Sequence, residues 1–249
     1  MLEIVNSIIG EIPVSQVDSW LKRGIFHGFL GRELDFRFPV KSWPEVNKRG
    51  VRLCLLEQVH GIDIIDLDLI QPRSEILNAD GWIGNLKMLE KQQIAIGIKT
   101  ADCTPVLAVG NNRGVVMALH CGWRGAYDGL LSFGIKRMLE KGEKLDSIEL
   151  AMGPAAQIGC YEVSADLAEK FETKLRSLIN ASEENLVSRV EAGKSFLSVS
   201  SYLEMEAISL GINNQNIAVS EDCTILEKKF FSYRREKDDS GRQLSFISA

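Results

Sequence analysis

Histidine is scarce in this chain, with three residues in 249. Cysteine is sparse too: five residues, at 54, 103, 121, 160 and 223, odd in number and without a C-x-x-C pair. That pattern indicates neither a disulfide framework nor a zinc knuckle, and makes reduced thiols the expectation. No apolar run approaches the roughly 18 residues of a membrane span, and MLEIVNSIIGEIPV at the N-terminus has no basic region ahead of a long apolar stretch. A cytoplasmic protein with no membrane partner is therefore expected. Positive charge is not in excess either. A formal net charge of −5 and a pI near 5.4 argue against a general nucleic-acid binder, while a local arginine cluster could still hold a small anion. Low-complexity tracts, fixed-period repeats and Pro/Gly/Ser linkers are absent, so one domain over 1–249 is expected.

What is present reads as mixed α and β. VRLCLLEQVH (51–60) reads as a strand with a polar exit. QIAIGIK (93–99) places Ile94, Ile96 and Ile98 on one face, a period of two. PVLAVG (105–110) and GVVMALH (114–120) flank Asn111-Asn112-Arg113, which predicts an antiparallel hairpin. IELAMG (148–153) is a further short strand. Residues 125–141 predict one helix with Leu130, Phe133, Ile135, Met138 and Leu139 on its buried side, ending at Lys141-Gly142. Ser164 caps a helix over SADLAEKFETKLRSLI, and Ser201 with Glu204 fits a capping box for SYLEMEAISL, closed by Gly211. The arginine-rich segment from Glu221 to Phe246 reads as helical at first and then looped.

Function tends to sit where strands end, because loops there expose polar groups on a rigid scaffold. Three exits stand out: Gln58-Val59-His60, Thr100-Ala101-Asp102-Cys103 and His120-Cys121-Gly122-Trp123-Arg124-Gly125. His60, Cys103 and His120 are the N/S/N donor types that suit Zn²⁺ with one position left open. The hairpin brings the neighbourhood of residues 103 and 120 to one sheet edge, whereas His60 is placed there only by lying at a strand end. Taken singly, a histidine at a strand end is an ordinary hydrogen-bonding residue and a lone cysteine a small hydrophobe. His27, in IFHGFLGR, has no such company and reads as structural. Arg124, at a helix start, suits an anion. Gly122 and Gly125 would let a ligand approach the backbone, or serve only as turn residues. Trp123 reads as a core plug or a stacking surface. Tyr233-Arg234-Arg235 is a second cationic and aromatic group, solvated when seen alone.

QVHG (58–61), TADCTPVL (100–107), HCGWRG (120–125), GP with CYEV (153–163) and FFSYRRE…SGR (230–242) resemble, in order, the motifs of the YfiH-like laccase-domain family. The resemblance runs from about residue 50 to the end. It implies an α+β fold, a mixed β-sheet sandwich flanked by helices, and a zinc site made by His60, Cys103 and His120, with copper as the alternative metal. It further implies a purine nucleoside enzyme whose partners are nucleoside and phosphate. The implied reactions are phosphorolysis of adenosine, inosine, guanosine and methylthioadenosine, and hydrolytic deamination of adenosine. The family has also been described as polyphenol oxidase and as a cysteine hydrolase. Four departures stand out: HGFLGRELDF lacks the family's paired glycines, Glu57 replaces a basic residue before QVHG, Cys121 replaces an alanine, and GPAAQIGCYEV differs in detail from the family's GP-x-I pattern.

An O₂-reducing multicopper centre needs more imidazoles than three histidines supply, which sets the oxidase reading aside. Deamination needs a carboxylate to move protons, and Asp102, then Glu162, are the candidates. Phosphorolysis needs an oriented phosphate, for which Arg124, Arg234 and Arg235 are the candidates, with Gln58 beside the site. Cys103 as nucleophile with His120 as base would make a metal-free cysteine hydrolase, and a non-catalytic ligand-binding module is a third reading. His60 tilts the choice to metal, because a Cys–His dyad has no use for a second histidine.

Overall fold

A computed structural model describes residues 1–37, 43, 48–69, 77–180 and 186–249. Twelve strands build its two main sheets: β1 (Ile4–Ile9), β2 (Ile12–Val17), β3 (Phe26–Leu30), β4 (Arg52–Cys54), β5 (Ile64–Asp66), β6 (Gly81–Asn85), β7 (Ile94–Thr100), β8 (Thr104–Gly110), β9 (Val115–Cys121), β10 (Ile148–Met152), β11 (Ile217–Val219) and β12 (Gln243–Ser248). One six-stranded sheet runs β1-β2-β3-β12-β7-β4, the other β11-β10-β8-β9-β6-β5. Ile94, Ile96 and Ile98 meet Leu107, Val109, Val116 and Ala118 between the sheets. The opposite face of the second sheet is covered by helices, with Val106, Met117 and Leu119 packed against Leu130, Ile135, Phe171, Tyr202 and Leu203. This is the α+β sandwich implied by the motifs. Among the described residues no helix is long and apolar enough to cross a membrane.

Several local expectations hold. The 105–110/114–120 hairpin forms, with Pro105 opposite His120 and Leu107 opposite Ala118. Ser164 caps the Ala165–Ile179 helix by accepting from the Leu167 N–H at 3.2 Å.

Others need correction. The expected strand over 51–60 is interrupted: β4 pairs with β7, and Leu56–Glu57 pairs with Leu77–Asn78 in a separate two-stranded sheet. The helix expected over 125–141 is two helices, Trp123–Asp128 and Leu130–Glu140, divided at Gly129, whose φ of 92° closes the first as a left-handed cap. The resulting turn buries Leu130, Leu131, Ile135 and Met138 and leaves Phe133 and Leu139 each 37% exposed. The Val199–Ser209 helix is capped by Ser198, whose hydroxyl accepts from the Ser201 N–H, so no capping box is built on Ser201 and Glu204. The tail, expected to end as a loop, ends instead in β12, paired on both sides by β3 and β7. Its polar residues disguise it in the sequence, and two of them find partners: Gln243 Oε1 accepts from the Phe231 N–H, and the Ser248 hydroxyl donates to the Ile94 carbonyl.

Candidate functional site

Strand parity brings two of the expected residues together. Side chains directly opposite in an antiparallel pair share a face, so Pro105 and His120 lie on the face of Leu107 and Ala118, which looks into the space between the sheets. Cys103 and Gly122 follow at the mouth of that space. Gly122 is needed there: a Cβ at this position would lie 2.9 Å from His60 Cδ2 and 3.2 Å from Cys103 Sγ. His60 completes the cluster, its ring centroid 4.8 Å from that of His120. The candidate ligand atoms of His60, Cys103 and His120 all lie within 4.8 Å of one another.

Asp80 assembles the cluster, and sequence reading missed it. The residue is fully buried just before β6, where Gly81 pairs with Leu119, so its neighbour in β9 is His120. Its carboxylate accepts from His120 Nδ1 at 2.8 Å and from the backbone N–H groups of Val59, His60 and Gly61 at 3.2, 3.0 and 2.6 Å. Those bonds hold His60 in a left-handed conformation, φ 61°, which a non-glycine residue adopts only when its surroundings dictate it. The signal was available: a metal-binding histidine engages an acid or carbonyl through its second ring nitrogen, and Asp80 stands at the start of GWIG.

The charges inside the cluster oppose burial. Burial raises the Cys103 thiol, but the His120 charge and hydrogen bonds from His120 and His60 outweigh it and bring the thiol down to about 6. Burial likewise lowers His120, but the Cys103 thiolate and the Asp80 carboxylate lift it to about 9. Without metal, the pair is a thiolate beside an imidazolium. The donor set fits a zinc ion: one thiolate, two imidazoles, and His120 Nδ1 already bonded to a carboxylate so that Nε2 is left for the metal.

The cluster lies in a pocket of about 590 Å³, whose wall includes Gln58, Lys99, Arg124, Tyr233, Arg242 and Arg37. Gln58 bonds reciprocally to the Lys99 backbone, N–H to Oε1 and Nε2 to carbonyl, each at 2.7 Å, tying the QVHG loop to β7. Arg124 enters the wall with its guanidinium 4.5 Å over the Trp123 ring, and Trp123 is partly buried against the core.

Other sequence candidates lie elsewhere. The Asp102 carboxylate accepts from the Thr224 hydroxyl at 2.7 Å and the Arg234 N–H at 2.6 Å, and its φ of 90° forms the sharp turn that presents Cys103. Glu162 pairs with Lys194. The Arg234 guanidinium donates to the Glu162 carbonyl and stacks on Tyr161. That of Arg235 donates to the carbonyls of Thr224, Ile225 and Phe230. Neither guanidinium lines the pocket, whereas Tyr233 and Arg242 from the same stretch do. His27 is buried in β3 and belongs neither to the His60–Cys103–His120 cluster nor to the lining of its pocket.

Similarity to known proteins follows the same residues. The family described as multi-copper polyphenol oxidoreductase laccase matches residues 43–249. A Corynebacterium glutamicum protein named as a purine nucleoside phosphorylase is 30% identical over 196 residues, 79% of this chain and 74% of that protein. A protein named adenosine deaminase RL5, from an unknown prokaryotic organism, is 29% identical over 182 residues, 73% of this chain and 66% of that protein. In structure, YlmD of Geobacillus stearothermophilus superposes with a TM-score of 0.78 at 23% identity, covering 98% of both chains.

Proposed function

The chain belongs to the multi-copper polyphenol oxidoreductase laccase family, and from that premise we propose that it is a zinc-dependent purine nucleoside phosphorylase with adenosine deamination as a second activity. The observation that carries this reading is the convergence of His60, Cys103 and His120 at a pocket walled by Lys99, Arg124 and Arg242. A volume of about 590 Å³ suits a nucleoside. Zinc held by the three residues supplies Lewis-acid polarisation when bound. Asp80 keeps His120 and the His60 loop in one geometry, so the ligands need little reorganisation. Arg124 and Arg242 orient phosphate and balance charge while the glycosidic bond opens with oxocarbenium character. The carboxylates of Asp102 and Glu162 are engaged by Thr224, Arg234 and Lys194, which leaves Glu57 as the carboxylate on the pocket wall for deamination, while Lys99, Arg124 and Arg242 suit the phosphate of phosphorolysis.

A second reading is favoured by one observation: Cys103 below its ordinary range, beside a His120 oriented by Asp80, is also the arrangement of a cysteine hydrolase. Metal content of untagged protein, measured by mass spectrometry beside His60→Ala, separates the two. About one zinc per chain, lost in the variant, with base release from inosine only when phosphate is present, is the expected result. No metal after zinc is added back, with no nucleoside turnover, would replace the proposal by the Cys103–His120 hydrolase. A metal-bearing protein that turns over neither inosine nor adenosine would leave a binding module. Arg124→Ala should raise KM for phosphate about tenfold while leaving that for nucleoside nearly unchanged, as steady-state kinetics can read directly.

A further inference from the structure

Two thiols that sequence spacing left unrelated meet in space. Cys160 and Cys223, 63 residues apart in the chain, have their sulfur atoms in direct contact, 2.6 Å from each other. Both are free thiols, Cys223 buried and Cys160 partly open to solvent. The backbones that carry them are already clamped side by side. Ala155 and Cys223 form a parallel bridge, the Thr224 N–H donates to the Ala155 carbonyl at 3.0 Å, and Gln157 Nε2 donates to the Ser220 carbonyl at 3.1 Å. Closing the sulfur pair thus needs only small side-chain adjustment.

We propose that Cys160 and Cys223 are a reversible dithiol–disulfide couple, a redox modification site distinct from the metal-ligand cluster. With a peroxide as oxidant, one thiolate attacks the O–O bond, giving a sulfenic acid and releasing hydroxide that is protonated to water. The second thiol then attacks the sulfenic sulfur and expels a second water. Two thiols together lose two protons and two electrons, and the peroxide is reduced to two waters. A low-molecular-weight disulfide serves equally, leaving as two thiols after two exchange steps. Burial and the hydrogen bond with Cys223 push the Cys160 thiol up to about 12, so closure through the Cys160 thiolate is favoured at alkaline pH.

The position ties the couple to the pocket's rear. Tyr161, next to Cys160, lies under Arg234, and Thr224, next to Cys223, bonds Asp102 at the turn before Cys103. A covalent link would lock together the two segments behind that turn.

The test uses the full-length protein, reduced, desalted, and incubated with hydrogen peroxide or oxidised glutathione at pH 8. Denaturation, alkylation and peptide mapping follow. The expected result is a peptide pair joined through Cys160 and Cys223, two fewer alkylated thiols than the five of the reduced chain, and full recovery after dithiothreitol. Cys160→Ser should give no internal disulfide to Cys223 under the same treatment. Recovery of both residues as alkylated thiols while Cys103 is oxidised would overturn the proposal. So would mixed disulfides with glutathione that never resolve to the internal link.

Discussion

His27 and His120 lie in two differently built regions of one sandwich, both in strand interiors and almost without solvent contact. Around His27 the partners are neutral backbone: Nε2 accepts from the Val17 N–H at 2.7 Å, and Nδ1 donates to the Ile25 carbonyl at 2.9 Å. Burial, with the nearby Arg23 charge, holds that ring at about 4 despite the Ile25 bond. Around His120 the partners are a carboxylate and a thiol, and the same burial is overruled to about 9. The difference teaches that burial alone makes a histidine structural. A buried anion on one ring nitrogen, with a thiol facing the other, makes it available for metal or proton chemistry.

The comparison can be broken most sharply by deletion. His120→Ala should reduce bound metal to background, while His27→Gln keeps it whole; equal loss in both would erase the distinction, and mass spectrometry of the two proteins decides. In the wild type, metal affinity should also weaken as pH falls below about 6, where the proton begins to compete with metal for the Cys103 thiolate.

The next effect is on stability. Native His27 stays neutral down to about 4, whereas the unfolded chain binds a proton near 6.5. Its contribution is therefore complete above pH 6.5 and is lost as pH falls toward 4, by about 3 kcal/mol. Urea unfolding at pH 7 and pH 4 should show His27→Gln losing less stability than the wild type by about that amount. A parallel decline in the two proteins would mean that His27 is not held neutral.

Asp80→Asn tests the other half of the comparison. It keeps the shape and removes the charge behind His120, and should weaken metal affinity about 10- to 100-fold in a chelator competition titration. Unchanged affinity would show that geometry rather than charge sets the His120 region apart. The smallest effect is expected at Cys121, which follows His120 but is fully buried among the helix-facing residues, with its thiol pushed well above its ordinary range by burial. Cys121→Ala should cost about 1 kcal/mol in denaturant unfolding and leave turnover intact.

Much of the site was legible because it is local. A turn at Asn111–Arg113 and an alternation of two dictate that Cys103 and His120 share an edge and a face. The N-terminal hairpin of β1 and β2 and the terminal β12 escaped notice because polar positions such as Ser15, Ser245 and Gln243 are buried, and β12 pairs with β3 and β7 far back along the chain. The helix break at Gly129 was visible only as a glycine, and the two arginines after Tyr233 looked alike although the pocket receives neither.

By itself, then, the sequence determined the donor types, the hairpin that pairs two of them, and the family to which the chain belongs, all of which depend on residue identity and short spacing. Only the tertiary structure decided that Asp80 holds His120 and the His60 loop, that Arg242 rather than Arg234 or Arg235 faces the pocket, and that Cys160 meets Cys223. Those contacts join residues 19 to 63 positions apart or settle which side of a backbone faces a cavity, and such pairings are set by how sheets and loops pack, which no local pattern encodes.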